Sequence, residues 1–325
     1  MAVYTEVSDA ELAAFLEHYD LGRARALKGV AEGVENSNFI LRTEAGVYIL
    51  TLYEKRVDAA CLPFFLGLMN HLSARGLDCP QPVPMRSGGA LGELNGRPAA
   101  IVTFLEGVCR DRPDARDCAE LGRALARLHL AAADFKGVRE NTLGPSAWPQ
   151  LFAPVAARAD DLSPGLQTTI ARELAYLAAN WPEGLPRGVI HADLFPDNVL
   201  FLGAEISGLI DFYFACVDYL AYDLAVCLNA WCFSPEGRFD AAKATAFFDA
   251  YRALRPLSAA EARALPVLAR GAALRFALTR LVDWLNVPPG ALVTPKNPLE
   301  YVGKLEFLQQ ACGPADLGLA LEPGA

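Results

Sequence analysis

Four polar residues have the types and the spacing for phosphoryl transfer. His191, Asp193 and Asn198 form the string H-x-D-x-x-x-x-N, and Asp211 follows at the end of another apolar run. In that order they read as a base, an amide ligand for magnesium and a carboxylate ligand. A carboxylate at Asp193 can accept the proton of a hydroxyl as that hydroxyl attacks the γ-phosphorus of ATP. Asn198 and Asp211 supply the hard oxygen ligands that Mg²⁺ prefers. The competing reading is a plain polar turn, which Pro196-Asp197-Asn198 would form unaided. The second carboxylate, arriving on its own strand at the expected distance, favours chemistry over the turn.

The elements that must position these groups follow from the apolar pattern. Val189–Ile190, Val199–Phe201 and Ile206–Ile210 read as short strands that present the polar loop. Upstream, the spacing predicts a helix over residues 9–18, strands over Phe39–Thr43 and Val47–Tyr53, and a helix over Pro63–Leu72. Asn95-Gly96 marks a hairpin turn within residues 91–104. The glycine-containing stretch from Gly29 to Phe39 could cover phosphates with backbone N–H groups and the Ser37 hydroxyl. The last small-lobe strand runs through Thr103 into Phe104-Leu105-Glu106-Gly107, a hinge suited to an adenine edge. Thr103 and Leu105 are therefore candidate nucleotide contacts.

Downstream the pattern turns helical. Asp117 with Glu120 reads as a capping box, Leu121, Leu125 and Leu128 share a face, and His129 stands at its edge, placed to hold the catalytic loop. A second helix spans about 166–180. Asp223 either caps the next helix or holds the catalytic loop. After a capping box of Ser258 and Glu261, a long helix from Pro266 to Leu285 carries Arg270, Arg275 and Arg280 among apolar residues. Guanidinium groups in such a setting need anions, either a structural carboxylate or that of a substrate. The whole reads as an α+β chain of two lobes. Residues 1–105 form a small antiparallel-sheet lobe with a helix, and residues 106–325 a larger, mostly helical lobe with the catalytic loop, metal ligands and substrate pocket.

Composition sets outer bounds. A chain of 325 residues, 53% hydrophobic, can bury one large core or two modest ones. A net charge of −9 argues against a nucleic-acid surface. The eight cysteines form no C-x-x-C pair, so free thiols in a reducing compartment are expected. The apolar stretch 209–233 is broken by Asp211, Asp218 and Asp223, which excludes an ordinary membrane span. Glu6, Asp9, Glu11 and Glu17 make the N-terminal stretch unlike a signal peptide. These readings point to a cytoplasmic protein with a small-molecule partner, and with neither nucleic acid nor membrane.

The flanking strings carry a family resemblance. They are Gly33-Val34-Glu35-Asn36-Ser37-Asn38-Phe39, Tyr48 to Arg56, Leu62 to Leu66, the H-x-D loop, Asp218 to Ala225, Arg270 to Phe276 and Leu281 to Asn286. The chain resembles the kinases of the aminoglycoside phosphotransferase and choline kinase superfamily, most closely the bacterial homoserine kinases within it, nearly end to end. The resemblance implies a protein-kinase-like two-lobed fold with ATP in the cleft, Asp193 as base beside His191, and Asn198 and Asp211 as Mg²⁺ ligands. It implies L-homoserine as acceptor, phosphorylated on its side-chain hydroxyl on the way to threonine. Arg270, Arg275 or Arg280 would then take the acceptor carboxylate, and Asp218 or Asp283 its ammonium.

Two alternatives stand beside this reading. One is a kinase for an aminoglycoside, choline or another small alcohol, with Trp231, Trp284 and Tyr213 available for a quaternary ammonium. The other is a catalytically inactive nucleotide-binding scaffold, for which Thr51 speaks. Thr51 stands where a kinase of the broad pattern has a strand lysine, and no matching glutamate appears around Phe64 and Phe65. Both members of that ion pair are missing together, so no charge is left unpaired. Lys55, on the Thr51 side of an extended strand, is a candidate phosphate contact.

Overall fold

The computed structural model describes residues 5–30, 36–54, 58–287 and 295–320. Five antiparallel strands form the first body: β1 (Ala24–Gly29), β2 (Ser37–Thr43), β3 (Val47–Leu52), β4 (Gly92–Leu94) and β5 (Arg97–Thr103), in spatial order β1-β2-β3-β5-β4. Their side chains alternate between two cores, as a two-residue period demands. Phe39, Leu41, Leu50, Leu52 and Ile101 face helix α1 (Asp9–Leu16), whereas Ala100 and Val102 join the larger core that also contains helix α2 (Leu62–Ser73). Asn95 and Gly96, with φ of 52° and 67°, make the tight β4–β5 turn. The sequence pattern misses β1. It is an edge strand, exposed along most of its length and rich in Arg and Lys, with no alternation to betray it.

The second body is helical: α3 (Ala115–Ala131), the short α4 (Trp148–Phe152) and α5 (Ala159–Leu162), α6 (Leu166–Asn180), α7 (Leu220–Trp231), α8 (Ala241–Arg252), α9 (Ala259–Leu285) and α10 (Leu299–Leu308). Two antiparallel ribbons are set into it, β6 (Arg187–Ile190) with β9 (Cys216–Tyr219) and β7 (Val199–Leu202) with β8 (Glu205–Leu209). Helix α3 starts earlier than its expected cap: Asp114 is the N-cap and Asp117 the returning carboxylate, in place of Asp117 and Glu120. The Ser258–Glu261 box caps α9, which begins at Ala259 and contains Pro266. Helix α9 is buried over most of its length because α7, α10 and α4 all pack on it.

Gly122 fixes the spacing of α3 and α8. A Cβ there would lie 2.2 Å from the carbonyl oxygen of Phe247, so the two backbones approach as only glycine permits. That contact brings Tyr251 of α8 to His129 of α3, with consequences for the catalytic loop. Among the described residues no helix is long and apolar enough to cross a membrane, and all eight cysteines are free thiols.

Candidate active site

The two ribbons hold the catalytic loop between them. Residues 191–198 leave β6 at Ile190 and enter β7 at Val199, and a single 3₁₀ turn over Pro196–Asn198 folds Asn198 back toward Asp193. Asn198 Nδ2 donates to the Asp193 carbonyl at 2.7 Å and lies 3.3 Å from Asp193 Oδ2. With its NH₂ engaged in this way, the Asn198 side chain has a carbonyl oxygen to offer a cation. The β7–β8 ribbon brings Asp211 alongside, because Ile210 N donates to Asn198 O at 3.0 Å. Asp211 is exposed and its backbone is left-handed, φ 64°, a conformation that non-glycine residues adopt mostly at tight turns and functional sites.

Buried groups hold the loop from behind. Asp223 of α7 accepts from the backbone N–H groups of His191 and Ala192 at 2.7 and 2.8 Å. On the opposite side Arg275 of α9 donates to the Ala192 carbonyl. Ala192 has φ 63°, which costs a residue with a side chain about 1–2 kcal/mol. The partners on its N–H and C=O keep it there. Behind Asp223, His129 Nε2 lies 3.3 Å from Oδ2, and His129 Nδ1 lies 2.7 Å from the Tyr251 hydroxyl. Burial works to raise the Asp223 pKa, but the hydrogen bonds from the His129 ring and the His191 N–H hold it below the usual carboxylate range.

Two members of the H-x-D pair have separate duties. The His191 ring is buried, and its Nε2 donates to the Ile210 carbonyl at 3.0 Å, since a carbonyl can only accept. Burial holds its pKa below the ordinary histidine value. A neutral, buried ring that ties the loop to the strand before Asp211 is a positioning residue, which corrects the expectation that His191 takes part in catalysis directly. Asp193 is half-buried, and its pKa is pushed up to about 6, chiefly by burial. Asp197 adds to the rise, while Arg275, Lys296 and the Asn198 amide oppose it. Such a carboxylate is ionised at neutral pH and still has real proton affinity, as a general base requires.

The substrate residues expected from the sequence are mostly engaged elsewhere. Arg270 makes a two-pronged pair with Glu173 at 2.7 Å for each contact and lies over the Tyr176 ring. Along α9 it is displaced from Arg275 by about 7.5 Å. Arg280 pairs with Glu300 at 2.6 Å. Asp218 accepts from Asn141 at 2.8 Å and from the Tyr219 N–H at 2.7 Å within β9. Trp231 is buried and donates to the Leu194 carbonyl at 2.8 Å, so it braces the loop and cannot form a cage for a ligand. Asp283 is exposed near the end of α9, about 12 Å beyond Arg275 along the axis. Like Trp231, Arg275 touches the loop, and it is buried against the Phe276 and Phe214 rings.

The expected nucleotide contacts divide similarly. Ser37 is buried and its hydroxyl donates to Glu54 at 2.8 Å while receiving the Thr5 N–H, so it serves the small body's interior rather than a phosphate. Lys55 and residues 31–35 lie outside the described residues. Thr103 pairs with Gln81 through both its N–H and its hydroxyl, which leaves little of it for an adenine. Leu105 falls in residues 104–107, which belong to no strand, and it packs beside Gly208 of β8.

Rings occupy the place of the missing strand lysine. Thr51 donates to Asn38 Oδ1 at 2.8 Å. Nearby, the hydroxyls of Tyr53 and Tyr213 lie 3.1 Å apart, and Phe65 of α2 meets Tyr213 edge-on with centroids 5.7 Å apart. Aromatic contacts thus join Tyr53, just past β3, and Phe65 of α2 through Tyr213 of the segment after Asp211, whereas the broad kinase pattern joins strand and helix directly by a Lys–Glu pair. Phe212-Tyr213-Phe214 was the sequence signal for this, unread because its partners lie far away in the chain.

The sequence profile of the phosphotransferase enzyme family matches residues 26–257. A homoserine kinase from Methylocella silvestris is 73% identical over 321 residues, 99% of this chain and 100% of that protein. A homoserine kinase from Beijerinckia indica is 66% identical, covering 98% and 99%. Among solved structures, an amicoumacin kinase in complex with AMP-PNP and Ca²⁺ superposes with a TM-score of 0.70 at 15% identity, over 93% of this chain and 92% of that one.

Proposed function

The chain belongs to the phosphotransferase enzyme family, and from that premise we propose that it transfers the γ-phosphoryl group of ATP to the side-chain hydroxyl of L-homoserine. The observation that carries this reading is the hydrogen-bond chain from Asp193 through Asn198 to the residue before Asp211, in a chain similar from end to end to homoserine kinases. Asp193 accepts the hydroxyl proton as the oxygen attacks phosphorus. Asn198 and Asp211 would hold Mg²⁺, whose chemistry is to neutralise phosphate charge. Asp223, His129, His191 and Arg275 act one step back, fixing the loop so that the base needs no rearrangement. The backbone at Leu105, which belongs to no strand, is suited to receive the adenine. The product, O-phosphohomoserine, lies on the way to threonine.

Choline is disfavoured as acceptor. Trp231 has no exposed face and Tyr213 is tied to Tyr53, so two of the three rings considered for a cage are used inside the protein. An inactive scaffold is disfavoured by Asp193, Asn198 and Asp211 all being present. Purified protein with Mg-ATP, offered homoserine, threonine, serine, choline and an aminoglycoside in parallel, tests the assignment by ADP release. Homoserine is expected to give the highest kcat/KM. A higher value for choline or an aminoglycoside would displace it, and ADP release with none of them would favour the scaffold.

A further inference from the structure

An amino-acid acceptor brings a carboxylate toward a cleft that also receives a triphosphate, so a cation must be placed to meet it. Three of the four arginines of α9 are occupied: Arg270 by Glu173, Arg280 by Glu300, and Arg275 by the Ala192 carbonyl. The fourth, Arg263, lies on the exposed side near the helix start, about 18 Å from Arg275 along the axis. Another cation, from the segment before α10, reaches the loop. Lys296 Nζ lies 3.2 Å from Asp197 Oδ2 and 5.5 Å from the centre of the Phe195 ring. Asp197 immediately precedes Asn198, whose amide is 3.3 Å from Asp193 Oδ2.

The segment that carries Lys296 is anchored. Arg280 donates to the Asn297 carbonyl at 3.3 Å while pairing with Glu300, and Asn297 Oδ1 receives the Leu299 N–H at 2.9 Å. Phe195 meets Phe276 edge-on at 4.8 Å, and Tyr301 packs on Phe276 at 5.2 Å. Arg280 therefore serves the acceptor side of the site indirectly, by fixing the strip of chain that delivers the lysine. The pair itself is open to water, each side chain being 62% exposed. An ion pair in that setting contributes little to stability and parts easily for a ligand, unlike the buried Arg270–Glu173 pair.

We propose that Lys296 and Asp197 read the two charges of the acceptor, Lys296 taking the α-carboxylate and Asp197 the α-ammonium. This rests on the homoserine reading. A zwitterion carries its opposite charges on either side of one carbon and so matches an ion pair that opens to admit it. Each partner exchanges one ionic contact for another. From the carboxylate carbon to the hydroxyl of a four-carbon amino acid is four bonds, about 5 Å extended. A ligand held at Asp197 can thus turn its hydroxyl toward Asp193 in the same loop.

The test compares L-homoserine with 3-aminopropan-1-ol, which keeps amine and hydroxyl but lacks the carboxylate. Both are measured as substrates, or as competitive inhibitors where turnover is undetectable. Lys296→Gln is expected to weaken homoserine by roughly 10- to 100-fold, mainly in KM. It should change 3-aminopropan-1-ol by less than about threefold and leave the KM for ATP alone, and Lys296→Arg should restore much of the loss. Asp197→Asn should in turn spare 4-hydroxybutyrate, which lacks the ammonium, while weakening homoserine. No loss in Lys296→Gln, equal losses on both ligands, or a raised KM for ATP would overturn the proposal while leaving the homoserine reading intact. Wild-type protein that fails to phosphorylate homoserine would instead overturn the reading itself, and the proposal with it.

Discussion

Replacing Asp193 by Asn is expected to lower kcat by about 10²- to 10⁴-fold, the range that a positioned general base supplies, with nucleotide affinity nearly unchanged. Asn keeps the size of the side chain and the neighbourhood of the Asn198 amide, so the loop should keep its shape while losing the proton acceptor. A transition-state interaction removed alone appears in kcat rather than in binding. The wild-type pH profile should show the same group. Burial pushes the Asp193 pKa up to about 6, and the base acts when deprotonated. In kcat/KM, activity is therefore present above pH 6 and is lost as pH falls through that value, and the variant should lack this limb. Steady-state kinetics with a parallel nucleotide titration checks both. A loss below tenfold would place the base elsewhere.

Removing Asp223 is expected to cost stability and turnover together. Its carboxylate receives two buried backbone N–H groups and faces a buried imidazole. Asp223→Ala leaves both N–H groups and the Nε2 of His129 without this acceptor, His129 keeping only its Tyr251 contact, and deleting one member of a buried charged network costs about 3–5 kcal/mol. For a chain of this size that corresponds to a fall in Tm of roughly 4–8 °C. Because those N–H groups hold Ala192 in its left-handed conformation, the loop should relax and kcat should drop even in the folded fraction. Asp223→Asn keeps one acceptor and should lie between the two. Calorimetry and activity measured below the lowered Tm would show it; unchanged melting in Asp223→Ala would mean that the loop draws its shape from Arg275 alone.

What could be read from the chain beforehand was whatever is local in sequence. The H-x-D-x-x-x-x-N loop, the Asn95-Gly96 turn and the Ser258–Glu261 box each span a few residues, so their geometry is implied by their spacing. Asp223 and His129 were legible as loop holders because a polar residue on an apolar helix face must find a buried partner.

The roles of the arginines were not legible, since their partners come from elsewhere: Glu173 is 97 residues from Arg270, and Glu300 is 20 residues from Arg280. Ser37 was misread for the same reason, its partner Glu54 lying on the far side of the β2–β3 hairpin. Lys296 gave no signal at all. It is one cation in an irregular stretch beside prolines, and only the packing of Phe195, Phe276 and Tyr301 brings it to the catalytic loop.

A crystal structure with Mg²⁺, a non-hydrolysable ATP analogue and L-homoserine measures the central claim most directly. The metal is expected on the Asn198 carbonyl oxygen and the Asp211 carboxylate, and the homoserine hydroxyl within about 2.6–3.2 Å of Asp193 and facing the γ-phosphorus. A hydroxyl directed at another side chain, or a metal bound without Asn198 and Asp211, would contradict it.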